Sequence, residues 1–104
     1  MKSILDSLSS SIIYFSFISE LELLSFKKLT ASETAVIKNF LDDIVIIDIN
    51  RKIKDYTINL REAGPLKLPD SIIAATSKFL NIALLTADQA FKNIKDIQVV
   101  LYNP

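Results

Sequence analysis

Ile44-Val45-Ile46-Ile47-Asp48-Ile49, followed at once by Asn50-Arg51-Lys52-Ile53-Lys54-Asp55-Tyr56-Thr57-Ile58-Asn59-Leu60, is the stretch on which the fold turns. The first half is apolar at nearly every position and rich in β-branched residues, the pattern of a parallel strand covered on both faces. In the second half Ile53, Tyr56, Thr57 and Leu60 fall at the spacing of one helix face, and Asn50 stands where a helix N-cap belongs. A buried strand feeding directly into a capped helix is the repeating step of an α/β protein.

The same step recurs on both sides. Downstream, Gly64-Pro65 ends the helix and Pro69-Asp70 begins another, Ser71 to Leu80, whose Ala74 and Ala75 permit close approach to a neighbour. Ile82 to Leu85 reads as a strand, Asp88 to Ile94 as a short helix and Ile97 to Tyr102 as a last strand. Upstream, Thr30-Ala-Ser-Glu33 has the capping-box form and opens a helix to about Leu41. That helix carries Val36, Ile37, Phe40 and Leu41 on one face, and Asp42-Asp43 closes it. Ser19 to Phe26 reads as a short helix and Ile12 to Phe17 as a strand. Met1 to Ser11 reads as the end of a preceding helix, with Ile4 and Leu8 on its apolar face. The expected fold is α/β, with a mostly parallel sheet flanked by helices, in a single domain over residues 1–104.

Composition narrows the chemistry. The chain has no Cys and no His, which excludes thiol or histidine zinc sites, Ser-His-Asp triads and cysteine nucleophiles. Its one glycine, Gly64, leaves neither a dinucleotide fingerprint nor a P-loop to be written. Half the residues are hydrophobic, yet no run approaches the roughly 18 apolar residues of a membrane helix. The N-terminus, with Lys2 followed by Asp6 and a serine cluster, makes a poor signal peptide. Without disulfides the chain suits a reducing cytosol. Zero formal net charge supplies no general attraction to nucleic acid but leaves room for a local basic strip.

What remains for chemistry is carboxylates, hydroxyls and lysines. In open α/β sheets ligands sit beyond the carboxyl ends of the strands, and three acids fall near such ends. Glu22 follows the first strand, though Ser19-x-x-Glu22 also reads as a capping box. Asp70 follows Pro69 at a helix start, where N-capping is the plain alternative. Asp88, in Leu84-Leu85-Thr86-Ala87-Asp88, follows a strand, and a turn or cap role is open to it and to Thr86. Singly, each has an ordinary structural explanation. Together, three carboxylates converging at one end of a sheet would repel one another unless a divalent cation lies between them. An all-oxygen site of that kind suits Mg²⁺ or Mn²⁺, and the chemistry it supports is phosphodiester hydrolysis by an activated water.

Three blocks carry a family resemblance: Tyr14-Phe-Ser16-Phe-Ile-Ser19-Glu-Leu-Glu22-Leu23-Leu24-Ser25-Phe26, then Leu66-Lys-Leu68-Pro69-Asp70-Ser-Ile-Ile-Ala74-Ala75-Thr76, then Asn81-Ile-Ala-Leu-Leu85-Thr86-Ala-Asp88-Gln-Ala-Phe91. With a closing strand ending in Asn103-Pro104, their order and spacing from Ile12 onward resemble a PIN domain, in particular the VapC-type ribonuclease toxins. The resemblance implies a Rossmann-like three-layer sandwich and a Mg²⁺- or Mn²⁺-dependent ribonuclease. It also implies an RNA substrate, an antitoxin partner, a homodimer and a cytoplasmic location. By the same resemblance Glu22, Asp70 and Asp88 are three of four acidic metal-site residues, and Thr86 is the hydroxyl supporting the last. Lys27, Lys28, Lys67, Lys92 and Lys95 are candidates for RNA phosphates, with plain solubility as the alternative.

One departure from the family pattern stands out. The family opens with a strand ending in Asp-Thr-Asn or similar, then one or two helices before the block containing Glu22. Here that block begins almost at once, and too few residues separate Asp6 from Glu22 for a βα unit. Asp6 is therefore read as an ordinary helix-surface acid, and the first βα segment, about 30 residues, as missing. The absent strand is central in the family. Its two neighbours are then expected to pair with each other, recruit another chain or leave edges exposed. Two functions follow: a ribonuclease toxin impaired by that loss, or an inactive PIN-like remnant that binds a partner or dimerises. A receiver-like phosphoacceptor fits poorly, because Asp42-Asp43 precedes a strand rather than following one.

Overall fold

A computed structural model of the chain describes residues 13–25 and 28–102. The expected helix over Met1 to Ser11, Asp6, Ile12, Phe26, Lys27 and the terminal Asn103-Pro104 lie outside the described residues. Two compact units divide the chain, one reaching Asp48 and the other starting at Ile49.

The first unit runs β1 (Tyr14–Ser16), α1 (Phe17–Leu24), α2 (Ala31–Asp42) and β2 (Val45–Ile47). β1 and β2 are parallel, with Tyr14 opposite Val45, Phe15 opposite Ile46 and Ser16 opposite Ile47. β1 is shorter than its sequence suggests. The buried Ser16 turns the chain out of the strand: its Oγ accepts from the Ile18 N–H at 3.2 Å, so α1 begins at Phe17. Two serines three residues apart both look like caps, and the one at the strand end takes the role. Ser19 is then the third helical residue, and the expected Ser19–Glu22 capping box does not form.

α2 starts as expected. The Glu33 N–H donates to Thr30 Oγ1 at 3.1 Å and the Thr30 N–H donates to Glu33 Oε1 at 3.0 Å, closing a capping box. Of the four residues expected on its buried face, Leu41 is buried and Ile37 half-buried, while Val36 is 67% and Phe40 48% exposed. Phe40 still meets Phe15 of β1 edge-on, with ring centroids 5.9 Å apart, which fixes α2 against the strand. Helical periodicity marks a face; it does not say that a neighbour covers it.

The cap gives a pH prediction. Hydrogen bonding from the Thr30 backbone, then from its side chain, holds the Glu33 carboxyl below the ordinary Glu value. A pKa depressed in the folded state stabilises the fold above the ordinary carboxylate range and loses that effect as pH falls through the lowered value. In urea titrations the wild type should therefore exceed Glu33→Gln in stability at neutral pH, with the difference closing in acid. A difference independent of pH would refute the assignment.

The second unit runs α3 (Arg51–Ala63), α4 (Leu68–Leu80), β3 (Leu84–Thr86), a 3₁₀ turn (Gln89–Phe91) and β4 (Val99–Leu101). Asn50 caps α3 as expected, its Oδ1 accepting from the Ile53 N–H at 2.8 Å. The expected α3 face is the observed one, with Ile53 and Thr57 buried and Tyr56 and Leu60 half-buried. α4 answers with a stripe of small residues, Ser71, Ala74 and Ala75, all at 0% exposure, which lets the two helices pack closely. At the α3–α4 turn the Leu66 carbonyl accepts from Arg61 Nη1 at 2.9 Å and from Ser71 Oγ at 3.4 Å. Buried hydroxyls in the helices bond back one turn: Thr57 to the Ile53 carbonyl at 2.7 Å and Thr76 to the Ile72 carbonyl at 2.8 Å. Among the described residues no buried side-chain polar atom lacks a partner.

The core of this unit is Leu66, Ala74 and Phe91, packed against Leu60, Ile73, Leu84, Ile94, Ile97 and Val99. It joins the helix pair to β3 and β4, which are parallel with Leu85 opposite Val100. The short helix expected over Asp88 to Ile94 is only the 3₁₀ turn, which delivers Phe91 to the core. Three non-glycine residues of this unit take left-handed backbone, Asn81, Asn93 and Asp96, whereas Gly64 at the end of α3 is extended. Asn and Asp are the side-chain types that tolerate that region best.

Both strand pairs are parallel and flanked by helices, so the α/β expectation holds. Among the described residues β1 bonds only to β2 and β3 only to β4, giving two two-stranded sheets rather than one continuous one.

Candidate active site

Within the second unit, topology sets where the acids lie. α4 shares one core with β3 and β4, in which Leu84 and Val99 pack against the cluster of Leu66, Ala74 and Phe91, and only Asn81 to Ala83 separate the end of α4 from the start of β3. Helix and strand therefore run in opposite senses, placing the N-terminal turn of α4 at the same end of the unit as the carboxyl end of β3. Asp70 belongs to that turn and Asp88 lies two residues beyond β3.

Their local roles differ from the plain alternatives. Asp70 is not the N-cap of α4; that position is Lys67, which makes no side-chain cap bond, and Leu68 and Pro69 precede Asp70 in the helix. The carboxylate is half-buried in the first turn, where the helix macrodipole favours negative charge by about 0.3–1 kcal/mol. Asp88 does cap the 3₁₀ turn: its Oδ1 accepts from the Ala90 N–H at 2.8 Å. Thr86 Oγ1 accepts from the Asp88 N–H at 3.0 Å, fixing the backbone from which the carboxylate projects. Lys67 and Lys92 flank this end, and both are exposed, as are Lys28 and Lys95.

Glu22 belongs to the first unit. It lies on the exposed side of α1, after the carboxyl end of β1, and is free of the capping box that would have occupied it. Each of the three acids thus follows a parallel strand or opens a helix packed against one. Among the described residues no group of three or more acidic side chains is gathered closely enough to hold a metal ion. The donor set itself suits a hard cation: Asp70 and Asp88 supply carboxylate oxygens at one end of one unit, and Mg²⁺ is commonly held by one or two carboxylates with several waters.

One side-chain cluster was not legible in the sequence. Lys52 Nζ lies 5.6 Å and Lys78 Nζ 4.5 Å from the centroid of the Tyr56 ring. The Lys52–Tyr56 spacing of one helical turn was available in the sequence, but Lys78 comes from another helix and only packing brings it there.

The family model of the PIN domain matches residues 1–97. The chain belongs to the PIN domain family. Among solved structures, this PIN chain is similar to one in VapBC2 from Rickettsia felis bound to a DNA fragment from their promoter. That match has a TM-score of 0.82 at 24% identity, covering 98% of this chain and 84% of the other. A chain in a toxin–antitoxin complex from Klebsiella pneumoniae gives 0.71 at 30% identity, covering 82% and 69%. One in DNA-bound VapBC from Salmonella typhimurium gives 0.76 at 19%, covering 90% and 78%. A comparison with curated proteins gave no match. The PIN-domain resemblance read from the three sequence blocks is borne out, and the matched range includes the residues before Ile12. Among the described residues no helix is long and apolar enough to cross a membrane.

Proposed function

We propose that this PIN domain is the toxin of a VapC-type toxin–antitoxin pair, a cytoplasmic ribonuclease dependent on Mg²⁺ or Mn²⁺. The observation that carries the reading is the PIN match over nearly the whole chain, with Asp70 in the first turn of α4 and Asp88 just beyond β3. Glu22, Asp70 and Asp88 are assigned to hold the metal. When bound, the ion lowers the pKa of a water and offsets charge on the phosphodiester. The chain's own contribution is placement. Thr86 fixes the backbone of Asp88, the Ala90 N–H orients one of its oxygens, and the first turn of α4 favours the Asp70 carboxylate. Lys67 and Lys92 flank that end and are assigned to phosphates of the RNA.

An antitoxin is the proposed partner, and a homodimer the proposed assembly. Exposed apolar side chains in the first unit, Leu21 at 51%, Val36 at 67% and Phe40 at 48%, favour a protein partner on α1 and α2. The same observation favours the second reading, a PIN-like chain that binds a partner without cutting RNA.

Incubating the purified chain with single-stranded RNA separates the two. The ribonuclease reading expects cleavage that requires Mn²⁺ or Mg²⁺ and stops on adding EDTA. Cleavage indifferent to EDTA would refute the metal assignment, and no cleavage with either ion would favour the binding module.

A further inference from the structure

We propose that Lys52, Tyr56 and Lys78 form a second contact for the RNA strand, at the opposite end of α4 from Asp70. This subsite rests on the ribonuclease reading and extends it.

The geometry comes from three side chains of one unit. Tyr56 is half-buried on α3, and its ring holds the ammonium groups of both Lys52 and Lys78, at 5.6 and 4.5 Å from its centroid. Both distances are within the range of a cation–π attraction. A lone surface lysine must be ordered before it can hold a phosphate; these two already share an anchor. Two ammonium groups anchored by one ring concentrate positive charge there, which suits the successive phosphates of a polyanion. The aromatic face explains how the lysines are held, and the anion explains what two of them together would suit.

Beside Lys78 a small open cleft is lined by Asn81, Gln98 and Asp96. It lies where α4 ends and before β3 and β4 begin, the reverse end of the unit from Asp88. Amides there can donate to phosphate oxygens or bond to a sugar. The Asp96 carboxylate disfavours a bare anion, but it can accept from a hydroxyl. A strand offering both phosphates and 2′-hydroxyls meets the whole set, which selects RNA over inorganic phosphate or DNA.

Spacing fixes how long the RNA must be. Lys78 lies eight residues beyond Asp70 on α4, roughly 12 Å along the axis, or a little over two turns. At roughly 3.4 Å per stacked nucleotide that is a reach of three to four nucleotides. A dinucleotide cut at the acidic end cannot touch the lysines, whereas a longer strand can.

The test compares the full-length wild type with the double variant Lys52→Gln/Lys78→Gln. Binding of a long single-stranded RNA is followed in EDTA by fluorescence anisotropy, and cleavage of a dinucleotide is followed with Mn²⁺. Losing two phosphate contacts should reduce the salt slope of log affinity by about 1.4, or about sevenfold over a fourfold change in salt. Dinucleotide cleavage should be unchanged, and Lys52→Arg/Lys78→Arg should keep the wild-type slope. If the wild type neither binds nor cuts RNA, the ribonuclease reading fails and the subsite with it. If the wild type binds and the Gln variant keeps its slope, the subsite alone is overturned. Equal loss of dinucleotide cleavage would also overturn it, by showing that the lysines act at the acidic end or on the fold.

Discussion

Asp70→Asn is expected to lower Mn²⁺-dependent RNA cleavage by on the order of a hundredfold or more, with little change in stability. The scale follows from metal sites in general, where losing even an outer partner of a ligand changes affinity or activity about 10–100-fold. Asn keeps the size of the side chain and one oxygen, so the change removes charge rather than shape. Stability is nearly spared because Asp70 is not the cap of α4; Lys67 holds that position without a side-chain bond. What the fold loses is the dipole interaction of the first turn, about 0.3–1 kcal/mol. Cleavage rates and a urea titration on the same preparation separate the two effects. Wild-type cleavage by Asp70→Asn would remove this residue from the site, and a large loss of stability would mean that the residue is structural.

The largest stability effect is expected at Ile53. Its side chain is fully buried on the α3 face, at 0% exposure. Ile53→Ala removes buried methyl groups and leaves a space that close-packed neighbours fill only in part, costing about 2–5 kcal/mol. Val36→Ala is the matched control. At 67% exposure its loss should fall within about 0.5 kcal/mol of zero. Urea midpoints of the two variants test the difference. Equal losses would contradict the burial that distinguishes the faces of α3 and α2.

These expectations show which parts of the molecule a sequence displays. Asn50 and the Ile53, Tyr56, Thr57, Leu60 spacing were readable because cap and face lie within one helix. The Thr30–Glu33 box was readable for the same reason. The start of α1 was not, because Ser16 and Ser19 offer the same cap chemistry three residues apart. Only the turn at the end of β1 selects Ser16. Phe17, an aromatic residue with strand preference, accordingly enters a helix against its local tendency. Val36 and Phe40 have helical spacing without full burial, since period records a pattern and not the presence of a neighbour.

The candidate site divides along the same line. The residue types, the strand-end positions and the Thr86–Asp88 link can be read from short stretches of chain. Whether acids from separate segments act as one site is a property of tertiary arrangement, which spacing along the chain does not encode. The Lys78–Tyr56 contact is hidden in the same way, between two helices.

The central claim is the proposal that Glu22, Asp70 and Asp88 each contribute to holding a divalent metal ion. Calorimetric titration of Mn²⁺ into the full chain and into Glu22→Gln, Asp70→Asn and Asp88→Asn tests it without reference to RNA. The expected result is saturable binding by the wild type, weakened about tenfold or more by each substitution. Binding that Asp70→Asn and Asp88→Asn weaken but Glu22→Gln leaves intact, or no saturable binding by the wild type, would contradict it.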